Sequence, residues 1–337
     1  MLTEEQKIKA QPLLTIAIPT YNRSAFLELC LRRIRDELIN LRAEQRKQVE
    51  IVVSNNASTD DTADVISRNQ CIEAGEFRVI CNSENIGGER NVAQCYEIAT
   101  TPYVWVLGDD DLILPGGLQS VLDVLLLQDV DILYVNNYWF SDDYKNIPSK
   151  REKHGVITYS TPFDFARKTN VMLTFISALV VRNRLSFDYQ ASVAAGSNLP
   201  QLGWVLPLLS GGKCFAYIED WVVAAQGSNS GGYGLVKVFG INLVKITNEI
   251  LKDMPSIASA IQNGTIVNFF PGFILEFRKD SSNFSDKDMA SGLEAAFGNN
   301  WRYYVFLAPL IRLPLFAASY YNVLLKVFRR LFRSVLV

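Results

Sequence analysis

Residues 103–117, YVWVLGDDDLILPGG, place three consecutive aspartates between two apolar runs. Tyr103 to Leu107 reads as a buried strand, and Pro115 near the start of the following segment reads as the entry to a helix. Asp109, Asp110 and Asp111 repel one another. Carboxylates are almost never buried unpaired, because removing the charge from water is costly. A positive partner is therefore expected beside them.

Outward from this stretch the chain alternates. LLTIAIPTY (13–21), VEIVVSNN (49–56), FRVICNSEN (77–85) and DILYVNNYW (131–139) read as strands. Between them, FLELCLRRIRDELINLRAE (26–44) sets Leu27, Leu31, Ile34 and Leu38 on one helical face, and DDTADVISRN (60–69) opens a short helix with acids in its first turn. ERNVAQCYEIA (89–99) and PGGLQSVLDVLLLQ (115–128) continue the helical pattern. Such alternation predicts an α/β fold, a mainly parallel sheet with helices on both faces. Ligands on these sheets bind outside the carboxyl ends of the strands. The polar clusters fall there: Thr20-Tyr21-Asn22, Asn55-Asn56, Asn82 to Asn85, and Asp109 to Asp111. Each alone is ordinary turn chemistry, but four at one rim define a candidate site.

Composition removes several classes. A net charge of −2 on 337 residues lacks the basic footprint of a nucleic-acid binder. Five scattered cysteines without a CxxC pair argue against a disulfide framework or a zinc site, and suit a reducing compartment. The start, MLTEEQKIKAQ, has no apolar core of a signal peptide. The single histidine, His154, lies in the charged stretch SKREKHG and reads as a loop residue rather than a catalyst. No Walker GxxxxGK[ST] or GxGxxG follows a strand, so other devices must handle any phosphates. A carboxylate pair on a tight turn suits Mg²⁺ or Mn²⁺ that also takes oxygens from a substrate diphosphate. The spacing of Asp109 and Asp111 lets one contact ribose while the other holds the metal. Arg90, at a helix start beside the third strand, is placed to add a fixed charge against phosphates, or else to pair with Glu89 or Glu84.

TIAIPTYNRSAFL, VEIVVSNNASTDDT and NIGGERNVAQCYEIATTPYVWVLGDDD together resemble the family 2 glycosyltransferases, which have the GT-A fold. The likeness covers about residues 13–120, in order. It implies that Pro19, Thr20 and Tyr21 line the nucleotide pocket and that Asn55 and Asn56 take the base-reading position. It also implies Arg90 near the diphosphate, Asp109 and Asp110 on the donor, and Asp109 and Asp111 on Mn²⁺ or Mg²⁺. The implied activity is transfer of one sugar from a nucleotide diphosphate sugar to a glycan acceptor, often lipid-linked. Such enzymes serve bacterial O-antigen, capsule or exopolysaccharide synthesis, as in the abequosyltransferase-like branch.

Two departures from the family pattern matter. Members usually carry an acid in the base-reading pair, whereas both residues here are amides. An amide offers a donor and an acceptor, which removes a bias toward uridine and opens the pocket to CDP- or dTDP-sugars. Many inverting members also carry Glu-Asp at the start of the helix before GGK. Pro200-Gln201 stands there, and no carboxylate lies between Asp188 and Glu219. An inverting transfer would draw its general base from Asp188, Glu219 or Asp220. A retaining one would have Gln201 near the anomeric carbon.

The organisation expected is a catalytic domain over residues 1–240, with a nucleotide-binding half (13–120) and an acceptor half (121–240), then a helical region over 241–337. In the acceptor half, MLTFISALVVR (172–182) reads as a buried strand, LPQLGWVLPLLSGG (199–212) as a helix, CFAYIEDWVVAAQ (214–226) as a strand and GSNSGGYG (227–234) as a mobile loop or a plain surface linker. From Trp301 to Val337 the only charges are Arg302, Arg312, Lys326, Arg329, Arg330 and Arg333. The longest uncharged stretch there, Leu313 to Leu325, is too short for a bilayer span of ~20 residues. The tail is therefore expected to lie on an anionic membrane surface, at the cytoplasmic inner face; the alternative is a terminal helix packed on the core. A processive synthase is disfavoured, since QLGW lacks the arginine of QxxRW. A sugar-phosphate nucleotidyltransferase would need a glycine-rich loop where IPTYNRS stands. An inactive membrane scaffold would explain the missing base but not the intact Asp109 and Asp111.

Overall fold

The structure, a computed structural model, describes residues 12–70, 76–141, 143–148, 155–184, 189–227, 234–279 and 289–336. Asp188, His154 and most of GSNSGGYG lie outside these residues. Two compact units are formed, the first by Met1–Ser160, Phe175–Ala191 and Gly211–Ser228, the second by Thr161–Thr174, Ser192–Ser210 and Asn229–Val337.

The first unit holds a nine-stranded sheet. Its strands are β1 (Leu14–Thr20), β2 (Val49–Asn55), β3 (Glu76–Cys81), β4 (Tyr103–Val106), β5 (Leu112–Ile113), β6 (Ile132–Phe140), β7 (Val156–Tyr159), β8 (Leu179–Arg182) and β9 (Phe215–Gln226). They run in the order β3-β2-β1-β4-β8-β6-β9-β5, with β7 also on β9. β3, β2, β1 and β4 are parallel neighbours, as the alternation predicts. Beyond β4 the sheet is mixed: β8 runs antiparallel to β4 and β6, and β5 and β7 run antiparallel to β9.

The segment 172–182 is not the single strand expected. Two 3₁₀ turns, Asn170–Thr174 and Ile176–Ala178, precede the four residues of β8. A short apolar run is buried in either conformation, so hydrophobicity alone cannot separate them.

β1 and β2 are buried almost throughout, so this end of the sheet is covered on both faces. The helix Gly88–Glu97 lies against β1, β2 and β4, while Ser24–Asn40 packs on Thr62–Asn69, Gly117–Leu127 and β5. Ser24–Asn40 buries Leu27, Leu31, Ile34 and Leu38, the stripe that its periodicity predicts. The same helix also buries an ion pair. Arg33 donates to Glu37 Oε1 at 3.1 Å and twice to the Ile113 carbonyl at 3.2 and 3.0 Å. Glu37 in turn accepts from Leu118 N–H at 3.3 Å. The pair thus fastens the helix to the segment that follows the aspartates.

The second unit is helical, with a core that includes Ile266, Phe270, Tyr303, Phe306, Leu310 and Leu325. Its last helix, Leu315–Leu336, has two different faces. Ala318, Asn322 and Leu325 are buried, Tyr321 donates to the Val305 carbonyl at 2.9 Å, and Arg329 donates to the Val267 carbonyl at 2.8 Å. On the other side Phe316, Tyr320, Val323, Leu324, Val327 and Leu331 are all exposed. Among the described residues, no helix is long and apolar enough to cross a membrane.

Candidate active site

The three aspartates follow β4 directly, and the carboxyl end of β1 beside it supplies their neighbours. Thr20 donates its hydroxyl to Asp109 Oδ2 at 2.7 Å. Arg23, just before the helix Ser24–Asn40, places Nη1 3.3 Å from Asp109 Oδ1 and Nη2 2.6 Å from Asp110 Oδ2. Its guanidinium also stacks over the Phe26 ring, 4.7 Å from the centroid. Asp111 accepts from Gln226 N–H on β9 at 3.0 Å and from the Ser177 hydroxyl, which itself accepts from Gly108 N–H at 2.9 Å. Gly108 suits this crowding. A Cβ there would lie 3.0 Å from Asp111 Oδ2 and 3.1 Å from Asp110 Oδ1. Pairing of β5 with Val223 and Ala224 of β9 brings the backbone of Gln226 to Asp111.

Asp109 is 3% exposed and Asp111 is 6% exposed, so both carboxylates lie out of water. Burial pushes Asp109 up to about 7, against the opposing pull of Arg23 and the Thr20 hydroxyl. Burial, joined by the charge of Asp110, raises Asp111 as well. Among the described residues Arg23 is the only cation in ion-pair contact with the three carboxylates. One guanidinium thus faces three acids there, among the described residues. No cluster of three or more His, Cys, Asp or Glu arranged to hold a metal occurs among the described residues.

The amide residues form the rest of the rim. Asn56 is 1% exposed and its side chain is spent on structure: Nδ2 donates to Asn85 Oδ1 at 2.7 Å, and Oδ1 accepts from Asn82 Nδ2 and Ile86 N–H at 3.0 Å each. Asn55 Oδ1 accepts from Ser58 N–H at 3.0 Å, which leaves its Nδ2 as the group on offer. Asn22, with φ of 51°, donates its N–H to Ser58 Oγ at 2.9 Å and accepts from Thr59 N–H at 2.7 Å. Asp60 accepts from Ser24 N–H at 3.1 Å. Pro19 is half-buried at the end of β1, and Tyr21 is exposed beside it.

The remaining candidates lie on other elements. Arg90, on the helix Gly88–Glu97, is half-exposed and places Nη1 2.7 Å from Glu97 Oε2. Glu219 and Asp220 fall where the β6–β9 ladder shifts register, between the pairs Val135↔Ile218 and Asn136↔Trp221. Gln201 belongs to the second unit, where it is buried and donates its amide to the Thr174 carbonyl. Arg23, Ser177 and Gln226 were not among the residues that the sequence singled out. Arg23 carried a signal nonetheless: in TYNRS it is the one cation within a polar strand-end cluster.

The chain belongs to glycosyl transferase family 2, whose profile matches residues 15–186. It is 26% identical over 275 residues to the abequosyltransferase RfbV of Salmonella typhimurium, covering 74% of this chain and 79% of that one. A shorter likeness, 28% over 111 residues, covers 33% of this chain and 34% of the GalNAc(5)-diNAcBac-PP-undecaprenol beta-1,3-glucosyltransferase of Campylobacter jejuni. In fold it is similar to S. aureus TarS 1–349 in complex with UDP-GlcNAc, with a TM-score of 0.62 and 15% identity over 94% of this chain and 92% of that chain. The mannosyltransferase PcManGT of Pyrobaculum calidifontis, solved with GDP-Man and Mn²⁺, gives a TM-score of 0.50 at 15% identity, covering 93% and 87%. The protein is thus a glycosyltransferase with the GT-A fold.

Proposed function

We propose that this glycosyltransferase draws one sugar from a nucleoside diphosphate donor held with Mn²⁺ or Mg²⁺ at Asp109 and Asp111. The acceptor is a glycan of bacterial surface polysaccharide synthesis, carried on a lipid. The observation behind this reading is the aspartate triad at the end of β4, with Asp109 and Asp111 buried and Arg23 set against Asp109 and Asp110. An ion that takes one or two carboxylates from the protein and its other oxygens from the diphosphate fits such a site. When bound, it supplies a Lewis acid for the departing diphosphate. Thr20 and Gln226 N–H hold the carboxylates in place, and Tyr21 and Asn55 face the nucleoside. The names of the abequosyltransferase and the undecaprenol-linked glucosyltransferase support a polysaccharide role and a lipid-linked acceptor. For the acceptor proton we put forward Asp220, since a bulge re-aims side chains beside active sites.

Asn55 gives the donor site its test. Replacing it with aspartate keeps the oxygen that Ser58 N–H needs but removes the Nδ2 donor. A mispaired buried polar group costs about 1–3 kcal/mol, roughly tenfold or more in affinity. With Mn²⁺ present, wild type should therefore bind CDP or dTDP at least as well as UDP, and Asn55→Asp should shift the preference toward UDP. Competition binding with CDP, dTDP, UDP and GDP measures this. A strong wild-type preference for UDP that the substitution leaves unaltered would overturn the base assignment.

The last helix supports a peripheral place on the inner face of the membrane. Its exposed apolar side chains are flanked by exposed Lys326 and Arg330, a charge pattern complementary to anionic lipid. Arg329 is committed to Val267, and Tyr303, Phe306 and Leu310 belong to the core, so deleting residues 301–337 would strip the unit rather than test the surface. Substituting Phe316, Val327 and Leu331 together with serine should lower binding to phosphatidylglycerol vesicles by roughly tenfold or more, given about 25 cal/mol per Å² of apolar area. High salt should also weaken the wild type. Undiminished vesicle binding by a folded triple variant would rule this surface out.

A further inference from the structure

The contact between Arg23 and the aspartates raises a problem that the donor site must solve. Both oxygens of Asp109 are engaged, Oδ2 by the Thr20 hydroxyl at 2.7 Å and Oδ1 by the Arg23 guanidinium at 3.3 Å. A divalent cation that takes an oxygen of Asp109 competes with Arg23 for the same lone pairs. The two positive charges also repel at such short range.

The two arms of the Arg23 contact are unequal. The one to Asp110 is short, 2.6 Å, and the one to Asp109 is long. The side chain is 30% exposed, so solvent lies along one side of it, and Phe26 supports the guanidinium at 4.7 Å. The planar fork of arginine matches a phosphate oxygen pair as well as it matches a carboxylate.

We propose that Arg23 is an exchangeable counter-ion. Without donor it neutralises Asp109 and Asp110. When metal and diphosphate arrive it releases Asp109, pivots on Asp110 and turns its free N–H groups to the diphosphate. No covalent bond changes in this exchange; one charge-assisted hydrogen bond replaces another. The proposal rests on Asp109 and Asp111 forming the metal and donor site. It adds that Arg23 opposes the metal alone and favours the diphosphate, so that the two bind together more readily than either does separately.

Titration calorimetry on the full chain tests this with Mn²⁺ alone, and with CDP, dTDP, UDP and GDP and their monophosphates in Mn²⁺. Arg23→Gln removes the charge and keeps a polar side chain of similar reach. It should bind Mn²⁺ alone roughly tenfold tighter and the preferred diphosphate roughly tenfold weaker, with the monophosphate affected much less. Arg23→Lys keeps the charge but not the fork. It should hold Mn²⁺ affinity near wild type yet still lose diphosphate affinity, and it serves the test if Arg23→Gln does not fold. Should both variants bind Mn²⁺ and diphosphate as the wild type does, Arg23 is a fixed structural partner and the proposal fails. Should the wild type show no metal-dependent nucleotide binding at all, the donor site itself is misassigned and the proposal falls with it.

Discussion

Replacing Asp111 with asparagine is expected to lower turnover by about 100-fold or more, the scale of losing one main electrostatic stabiliser of a transition state. The substitution is chosen from the geometry. Asp111 Oδ1 accepts from Gln226 N–H at 3.0 Å, and an amide oxygen still accepts that bond, while the amide nitrogen would donate to Ser177 Oγ instead of accepting from it. What is removed is the negative charge, in a position where burial and Asp110 already work against it. The metal-free protein should therefore keep its fold and become somewhat more heat-stable, while its affinity for Mn²⁺ falls by about tenfold or more. Turnover is followed by release of the nucleoside diphosphate from the donor that competition binding selects. Full activity in a folded Asp111→Asn protein would remove Asp111 as a ligand.

The second large effect is on stability. Arg33→Met should cost about 3–5 kcal/mol, because it leaves Glu37 charged and buried without its partner. Glu37 is 3% exposed, and burial already raises its pKa despite Arg33. The substitution also takes both donors from the Ile113 carbonyl, two residues beyond Asp111. Adding Glu37→Gln removes the stranded charge while keeping an acceptor for Leu118 N–H, and should restore about half of the loss. Urea unfolding of the wild type and both variants measures the three stabilities. An Arg33→Met protein within about 1 kcal/mol of wild type would show that the pair contributes little.

The first half of the chain was readable because apolar strand runs alternate there with helical stretches, and this holds even for the four-residue β4. The parallel pairing of β3, β2, β1 and β4, though not their order, follows from that alternation. The clusters at Thr20, Asn55 and Asp109 were legible for the same reason, since strand ends in such sheets gather at one rim. β5 and β7 were not, having only two and four residues, and β8 was read only as part of a longer strand. The need for a positive charge beside the aspartates was plain from the sequence, but its protein source was not. Arg23 meets Asp110 across 87 residues, a contact that exists only because β1 and β4 are neighbours. Asn56 shows the reverse limit: an exposed-looking amide in the sequence is consumed by Asn82, Asn85 and Ile86.

The rim loops are stitched to one another by their own hydrogen bonds. The ladder runs on past the strands through Asn56 N–H to the Thr20 carbonyl at 3.0 Å and Asn82 N–H to the Asn55 carbonyl at 2.9 Å. Asn22, Ser58 and Asp60 then tie the two loops side to side. The conformational entropy of these loops is thus surrendered on folding, not on binding, which leaves more of each donor contact to appear as affinity. Such a rim acts as a fixed template. Its selectivity resides in the few side-chain atoms left over after the stitching, Asn55 Nδ2 foremost. An ancestor could have changed its donor by exchanging one or two of those atoms, with the sheet and its loops inherited unaltered.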